Sequence, residues 1–332
     1  MPIDLSKSFV IAISSRALYD LELENDVFEK KGIDAYITYQ REHENEILKP
    51  GTGFPLVNAI LSLNKLAVDK RKTEVIIVSR NNADACLRIL NSNRHYSLDI
   101  TRGAYTSGDP VAKYLQAYEV GLFLSASEED VKNALQANVP SGLIYSAPSD
   151  LYSPIDQIRI AFDGDAVIFS EESELIFKNE GLTAFLQHEK TNALNPLPEG
   201  PFAKLLRTIS FLQSEFKTDP SPIRTALITA RNSPADERVI RTLRTWNVRV
   251  DEVFFMGGVT KDKILSAFNP HIFFDDQDLY CSSAAKIVPT ARVPSFAKVL
   301  AKQQRWKNEI EGRKQGKIID IMPKKSKGNN VA

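Results

Sequence analysis

Phe9-Val10-Ile11-Ala12-Ile13-Ser14-Ser15-Arg16-Ala17 and Ile158-Arg159-Ile160-Ala161-Phe162-Asp163-Gly164-Asp165-Ala166 are one passage written twice. In each, an apolar strand runs into a polar turn, and the offset is 149 residues, as from Ser14 to Asp163. The match continues at the same offset. Val27-Phe28-Glu29-Lys30-Lys31-Gly32-Ile33-Asp34-Ala35-Tyr36 answers Ile176-Phe177-Lys178-Asn179-Glu180-Gly181-Leu182-Thr183-Ala184-Phe185, with Phe on Phe and Gly on Gly. After small length changes, residues 108–124 run ungapped beside 258–274 at offset 150. A period this long exceeds that of solenoid repeats and points to internal duplication of a whole domain. Only the second copy ends its first strand in two aspartates.

The 332 residues are 43% hydrophobic and 25% charged, with a formal net charge of zero, so each half has enough chain to bury its own core. Balanced charge argues against a protein that coats nucleic acid. No apolar run reaches the roughly 18–20 residues of a membrane span. The opening Met1-Pro2-Ile3-Asp4-Leu5-Ser6-Lys7 lacks the basic-then-apolar order of a secretion signal. The expectation is a cytoplasmic protein with neither nucleic acid nor membrane as partner, and the sequence is compatible with a homo-oligomer. Cys86 and Cys281 are too isolated for a disulfide framework or a zinc cluster, and His43, His95, His188 and His271 show no ligand spacing.

Short runs rich in β-branched and aromatic residues at 9–13, 74–78 and 121–124, and again at 158–162, 225–228 and 271–274, read as strands of a sheet covered on both faces. Their alternation with helical stretches indicates parallel βαβ units. Mainly helical insertions, about 20–72 and about 170–222, separate the first two of these strands in each half. Pro196, Pro198 and Pro201 should divide the second insertion into several short helices, a cap over a site. The expected order is an N-terminal α/β half at 1–146, a linker at 147–157, a second half at 158–302 with its cap at about 170–222, and a basic tail at 303–332. That tail sets eight Lys or Arg against three acids and reads as solvated.

In parallel α/β sheets, ligands sit outside the carboxyl ends of the strands. Asp163 and Asp165 leave the strand two residues apart, so their side chains point the same way, and Gly164 between them allows close approach. Thr229 ends the next strand, ahead of Ser233 as an expected helix N-cap and Pro234 at the first helical position. Lys261 or Lys263 follows Gly257-Gly258, and Asp275-Asp276 closes the last strand. The first copy has Ser14, Arg16, Val78 and Ser125-Ala126 in these places, and so has none of these carboxylates. Offset 150 pairs Lys263 with Lys113 but Lys261 with Val111. The lysine missing from the inactive copy is the better catalytic candidate, so Lys261 is preferred and Lys263 is the fallback. Arg16 reads either as a phosphate or ribose contact or as a structural ion pair. Phe177 and Phe185, repeated as Phe28 and Tyr36, read as packing; with Phe202 they are also the aromatics available to stack a base. The role expected of the first half is architectural, closing over the working half or shaping a pocket at the interface.

The order Asp-x-Asp, Thr, Lys, Asp-Asp on successive strand ends, spanning 158–276, resembles the haloacid dehalogenase-like phosphohydrolase superfamily. Ala12-Ile13-Ser14-Ser15-Arg16-Ala17-Leu18, Phe162-Asp163-Gly164-Asp165-Ala166-Val167, Thr229-Ala230-Arg231 and Phe273-Phe274-Asp275-Asp276-Gln277 resemble, more narrowly, the cytosolic 5'-nucleotidase family, which includes AMP-preferring type I enzymes. The resemblance implies two tandem haloacid dehalogenase-like, Rossmannoid halves, each with a small helical cap, and Mg2+-dependent hydrolysis of nucleoside 5'-monophosphates. It makes Asp163 the nucleophile and Asp165 the acid and base, with Thr229 and Lys261 on the phosphoryl group. Mg2+ would lie on Asp163, the Asp165 backbone carbonyl, Asp275 and Asp276. A carboxylate attacking a phosphate dianion faces about 8 kcal/mol of repulsion at 4 Å and an effective dielectric of 20. Uncompensated, that is about a millionfold in rate, so such a site needs cations. Two alternatives stand beside this reading: a phosphatase of the same superfamily acting on other small phosphomonoesters, and a non-catalytic nucleotide-binding protein.

Overall fold

The computed structural model describes residues 4–67, 71–146, 157–216, 218 and 220–295. The expected basic tail and all of the expected linker but residue 157 lie outside them. Ten strands form one sheet: β1 (Phe9–Ile13), β2 (Thr73–Ser79), β3 (Arg102–Tyr105), β4 (Leu122–Ser125), β5 (Ser141–Ile144), β6 (Ile158–Phe162), β7 (Ile223–Thr229), β8 (Glu252–Phe255), β9 (Ile272–Asp275) and β10 (Thr290–Arg292). Eleven α-helices accompany them among the described residues.

The strand order is β3-β2-β1-β4-β5-β10-β9-β6-β7-β8. Every neighbouring pair is parallel except β5 and β10, which meet antiparallel. Counted outward from this seam, the strands run 5-4-1-2-3 on one side and 10-9-6-7-8 on the other, the same connectivity each time. The seam is tight. A Cβ on Gly142 would stand 2.9 Å from the Ala291 Cβ and 3.2 Å from the Phe274 ring.

The twofold periodicity of a strand sends alternate residues to opposite faces, and the faces differ. Ile11 and Ile13 share one core with Phe162, Leu227 and Phe274, so a single apolar layer underlies both halves. On the opposite face, Val10, Ala12 and Phe123 belong to one cluster, and Ala161, Ile228 and Phe273 to another. The shared layer is covered by the helices Phe54–Ser62 and Ala203–Glu215, which contribute Leu56 and Ile60, and Leu205 and Ile209. Each such fully buried side chain stabilises the fold by about 1.5–3 kcal/mol. The second of these helices, read from the sequence as cap, therefore lies on the sheet.

What remains of each insertion is one long helix, Glu22–Glu42 in the first and, in place of the several short ones expected there, Glu172–Thr191 in the second. Both kink at a glycine in left-handed backbone, Gly32 (φ 83°) and Gly181 (φ 85°), where any Cβ would be strained. Pro196, Pro198 and Pro201 lie in the connection to Ala203–Glu215, so they break no helix. Near each kink the helix carries an edge-to-face aromatic pair. Phe28 and Tyr36 are 6.0 Å apart at 82°, and Phe177 and Phe185 are 6.2 Å apart at 80°.

The antiparallel seam also fixes where the two sets of strand ends point. Parallel strands within each half and one reversed pairing between them send the two sets of carboxyl ends to opposite edges of the sheet. The first half's strand ends thus do not face those of the second, contrary to the first of the two architectural roles expected, that it closes over them.

Candidate active site

β6 ends in Phe162, and the next residue, Asp163, is buried with its backbone N–H on the Phe274 carbonyl at 2.7 Å. That bond ties the end of β6 to β9, which brings Asp163 beside Asp275. Lys261 precedes the helix Asp262–Phe268 and reaches between them: its Nζ donates to Asp163 Oδ1 at 2.8 Å and to Asp275 Oδ2 at 2.6 Å. The ammonium also lies 5.4 Å from the Phe273 ring centre and 5.2 Å from that of Tyr280. Lys263 is exposed.

Carboxylate oxygens of Asp163, Asp275 and Asp276 all lie within 4.8 Å of one another. Asp275 Oδ1 accepts the Gln277 N–H at 2.9 Å, but Asp276 Oδ1 is buried with no hydrogen-bond partner. Such an orphan is costly in a folded protein. Burial, and then Asp163, push the Asp276 carboxyl up to about 8. Burial likewise raises Asp163, to about 7, with Lys261 opposing and Asp275 adding to the rise. Burial alone would lower Lys261, but Asp163 and Asp275 outweigh it and hold the ammonium charged. Three carboxylates against one lysine leave net negative charge in an all-oxygen donor set, which suits a hard divalent cation.

Thr229 closes β7, is buried, and accepts the Arg231 N–H on its Oγ1 at 3.3 Å. The helix beyond it starts later than expected: it runs Asp236–Thr245 with Ala235 as its cap residue. A turn closed by the Ala235 N–H on the Asn232 carbonyl, at 2.7 Å, takes up Ser233 and Pro234.

The Asp165 side chain is 20% exposed and stands outside the group of three carboxylates. Both its oxygens accept from Arg231, Oδ2 from Nε at 2.8 Å and Oδ1 from Nη2 at 2.7 Å. The remaining arm of Arg231 donates to Glu189, which also accepts from Arg238 at 3.0 Å and from Ser173 at 2.8 Å. This buried network joins the kinked helix to the Asp-x-Asp turn. Arg231 stands in a quoted motif, yet no role was legible for it, because its partners are 66 and 42 residues away in sequence.

The sequence profile of the 5'-nucleotidase family matches residues 1–299. The chain belongs to the 5'-nucleotidase family. Human "Cytosolic 5'-nucleotidase 1B" is 36% identical to it over 290 residues, 84% of this chain and 48% of that protein. The chain thus spans about half the length of this curated member of the 5'-nucleotidase family. No solved structure matches it. No helix among the described residues is long and apolar enough to cross a membrane.

The first half of this 5'-nucleotidase-family chain shows what the same strand ends look like without the acids. Ile13 pairs with Ile77, and Phe162 with Leu227. Counting two residues on, the counterpart of Thr229 is Ser79 rather than Val78, so a hydroxyl stands at that place in both halves. Asn81 then answers Arg231.

Proposed function

We propose that this chain is a Mg2+-dependent 5'-nucleotidase that hydrolyses nucleoside 5'-monophosphates of the AMP or IMP type through an aspartyl-phosphate on Asp163. One observation carries the reading most directly: in a chain of this family, Asp163, Asp275, Asp276 and Lys261 converge at the ends of β6 and β9, with one carboxylate oxygen left unpartnered. Asp163, Asp275, Asp276 and the Asp165 backbone carbonyl would hold the ion, and when bound it offsets the charge of the phosphate.

The chain's own groups do the rest. Lys261, already on Asp163, stabilises charge on the phosphoryl oxygens. Thr229 holds one of those oxygens by its hydroxyl. Asp163 Oδ attacks phosphorus in line and the bond to the ribose 5'-oxygen breaks. Asp165 must first leave Arg231, which holds both its oxygens, and take up a proton; it then gives that proton to the ribose oxygen and takes one from the water that cleaves the aspartyl-phosphate. Arg231, backed by Glu189 from the kinked helix, holds Asp165 by both oxygens and so governs its release, which makes Glu189 and Arg231 positioning residues.

The recurrent strand order, the paired kinks and the two aromatic pairs support an origin by duplication of one haloacid dehalogenase-like half. On this reading 1–146 is the degenerate copy and 158–302 the catalytic one, each with a kinked-helix cap. The name of the human relative supports a cytosolic location. Phosphate release from AMP, IMP, GMP, CMP and UMP, with magnesium and with chelator, tests the proposal. Metal-dependent turnover lost in Asp163→Asn is expected, and undiminished turnover in that variant sinks the mechanism. Faster hydrolysis of sugar phosphates than of every nucleotide would favour the broader phosphatase reading.

A further inference from the structure

At the carboxyl ends of β1, β2 and β4, the place that answers the candidate active site, the first half holds a cleft of about 750 Å³. Clefts of roughly 300–1,000 Å³ accommodate small organic ligands. Its walls include Ser14, Arg16, Asn81 and Ser125 from the strand ends, and Phe28 and Tyr36 from the kinked helix.

What this half has lost and what it has kept point in one direction. Asp163, Asp165, Arg231, Lys261, Asp275 and Asp276 are answered by Ser14, Arg16, Asn81, Val111, Ser125 and Ala126. Formal charge over these six places goes from −2 to +1, so a phosphate no longer needs a metal to offset carboxylates. The helix kink and the aromatic pair are kept, with Phe28 46% exposed. The carboxylates that remain in the cleft are already paired. Glu24 accepts from Arg88 at 2.6 Å, and Asp130 accepts from Arg80 at 2.8 Å.

Arg16 is the group in reserve. Its Nε is buried without a hydrogen-bond partner, while its Nη atoms hold Asn25 at 2.8 Å and Glu22 at 3.0 Å. Glu22 is 58% exposed, and so open a pair is weak. A phosphate, which a guanidinium grips with two parallel bonds, displaces it.

We propose that this cleft binds a nucleoside 5'-monophosphate without metal and without hydrolysing it, Arg16 taking the phosphate and Phe28 the base. The identity of the ligand rests on the nucleotidase reading of the other half; the cleft and its charge do not. The test is calorimetric titration of AMP into the full chain carrying Asp163→Asn, in excess EDTA, with adenosine and inorganic phosphate in parallel. One saturable AMP site is expected, tighter than for adenosine or phosphate alone. Arg16→Gln and Phe28→Ala, each added to that background, should each weaken it by about tenfold to a hundredfold. Both side chains are partly exposed, and an unchanged Tm verifies the fold. Absence of metal-free binding overturns the proposal, as does binding that neither substitution weakens, since the nucleotide then sits elsewhere. Magnesium-dependent phosphate release by the unsubstituted chain is measured separately: its failure rejects the catalytic reading, while the EDTA titration still decides the cleft.

Discussion

Two buried polar networks, one under each kinked helix, are built from the same positions with the charges moved. In the second half Glu189 lies near the end of its helix and takes Arg231 and Arg238, while Ser173 near the start donates to it. In the first half the place of Glu189 is Gln40, and the carboxylate is Glu24 at the place of Ser173, where it takes Arg88, the counterpart of Arg238. A buried charge needs a partner, and each arginine has its carboxylate, Arg88 from near the start of the helix and Arg238 from near its end. Around Asp163 there is no such correspondence: opposite the lysine and three carboxylates stand Val111, Ser14, Ser125 and Ala126. Both halves meet the same packing obligations, and only one carries the groups of the proposed reaction.

The contrast breaks most decisively at the nucleophile. Asp163→Asn should lower kcat on the order of 10⁴-fold, and Ser14→Ala by less than about twofold, in the same phosphate-release assay; comparable losses would erase the distinction between the halves. Next is the network. Arg231→Met leaves Glu189 and Asp165 short of a cation and should cost about 3–5 kcal/mol of stability, whereas Asn81→Leu should cost about 1 kcal/mol, both read from urea midpoints. Lys261→Met should reduce kcat by about 10²–10³-fold and Lys263→Met by less than about twofold; the reverse ranking would move the lysine's role to the exposed position.

The smallest effect concerns His271, whose counterpart is Gly121. His271 is buried and takes the Arg159 backbone N–H on Nδ1 at 3.1 Å. Burial lowers its pKa to about 4, with the nearby Arg159 charge adding to the fall. The unfolded chain, with histidine near 6.5, therefore binds a proton before the folded one does. Stability contributed by the neutral ring is full above pH 6.5 and is lost as pH falls toward 4, by about 3 kcal/mol. The difference in unfolding free energy between the unsubstituted chain and His271→Gln should show that slope between pH 6.5 and 4; a flat difference removes the ring from the account.

Much of this was legible in the sequence because strand ends are local. A run such as Ile158–Phe162 followed by Asp-x-Asp announces both the strand and the edge where its acids lie. The strands that escaped notice were the short or edge ones. β3 and β8 are half-buried and mix polar with apolar residues, and β5 and β10 have four and three residues, one being Gly142. The register of β2 was misread by one because Val75, Ile76, Ile77 and Val78 look alike in neighbouring frames, so Ser79 was overlooked. The antiparallel seam has no local sequence signal at all, and the Arg231 network depends on contacts that only the completed fold creates.

The seam has a bearing on what mutation can and cannot change. Strand ends in the first half border a cleft, where the half-buried Ser14 and Ala126 stand at the places that acids take in the other half. Gly142 has no latitude: with 2.9 Å to the next methyl group, even alanine must push Ala291 and the ring of Phe274, whose carbonyl holds Asp163, out of place. Gly142, like Gly51 and Gly53, whose added Cβ would stand 2.8 Å and 2.6 Å from the nearest atoms, is thus a first-half position sensitive to a single added carbon though it has no functional group at all, and a screen for tolerated substitutions should find it as intolerant as the aspartates across the sheet.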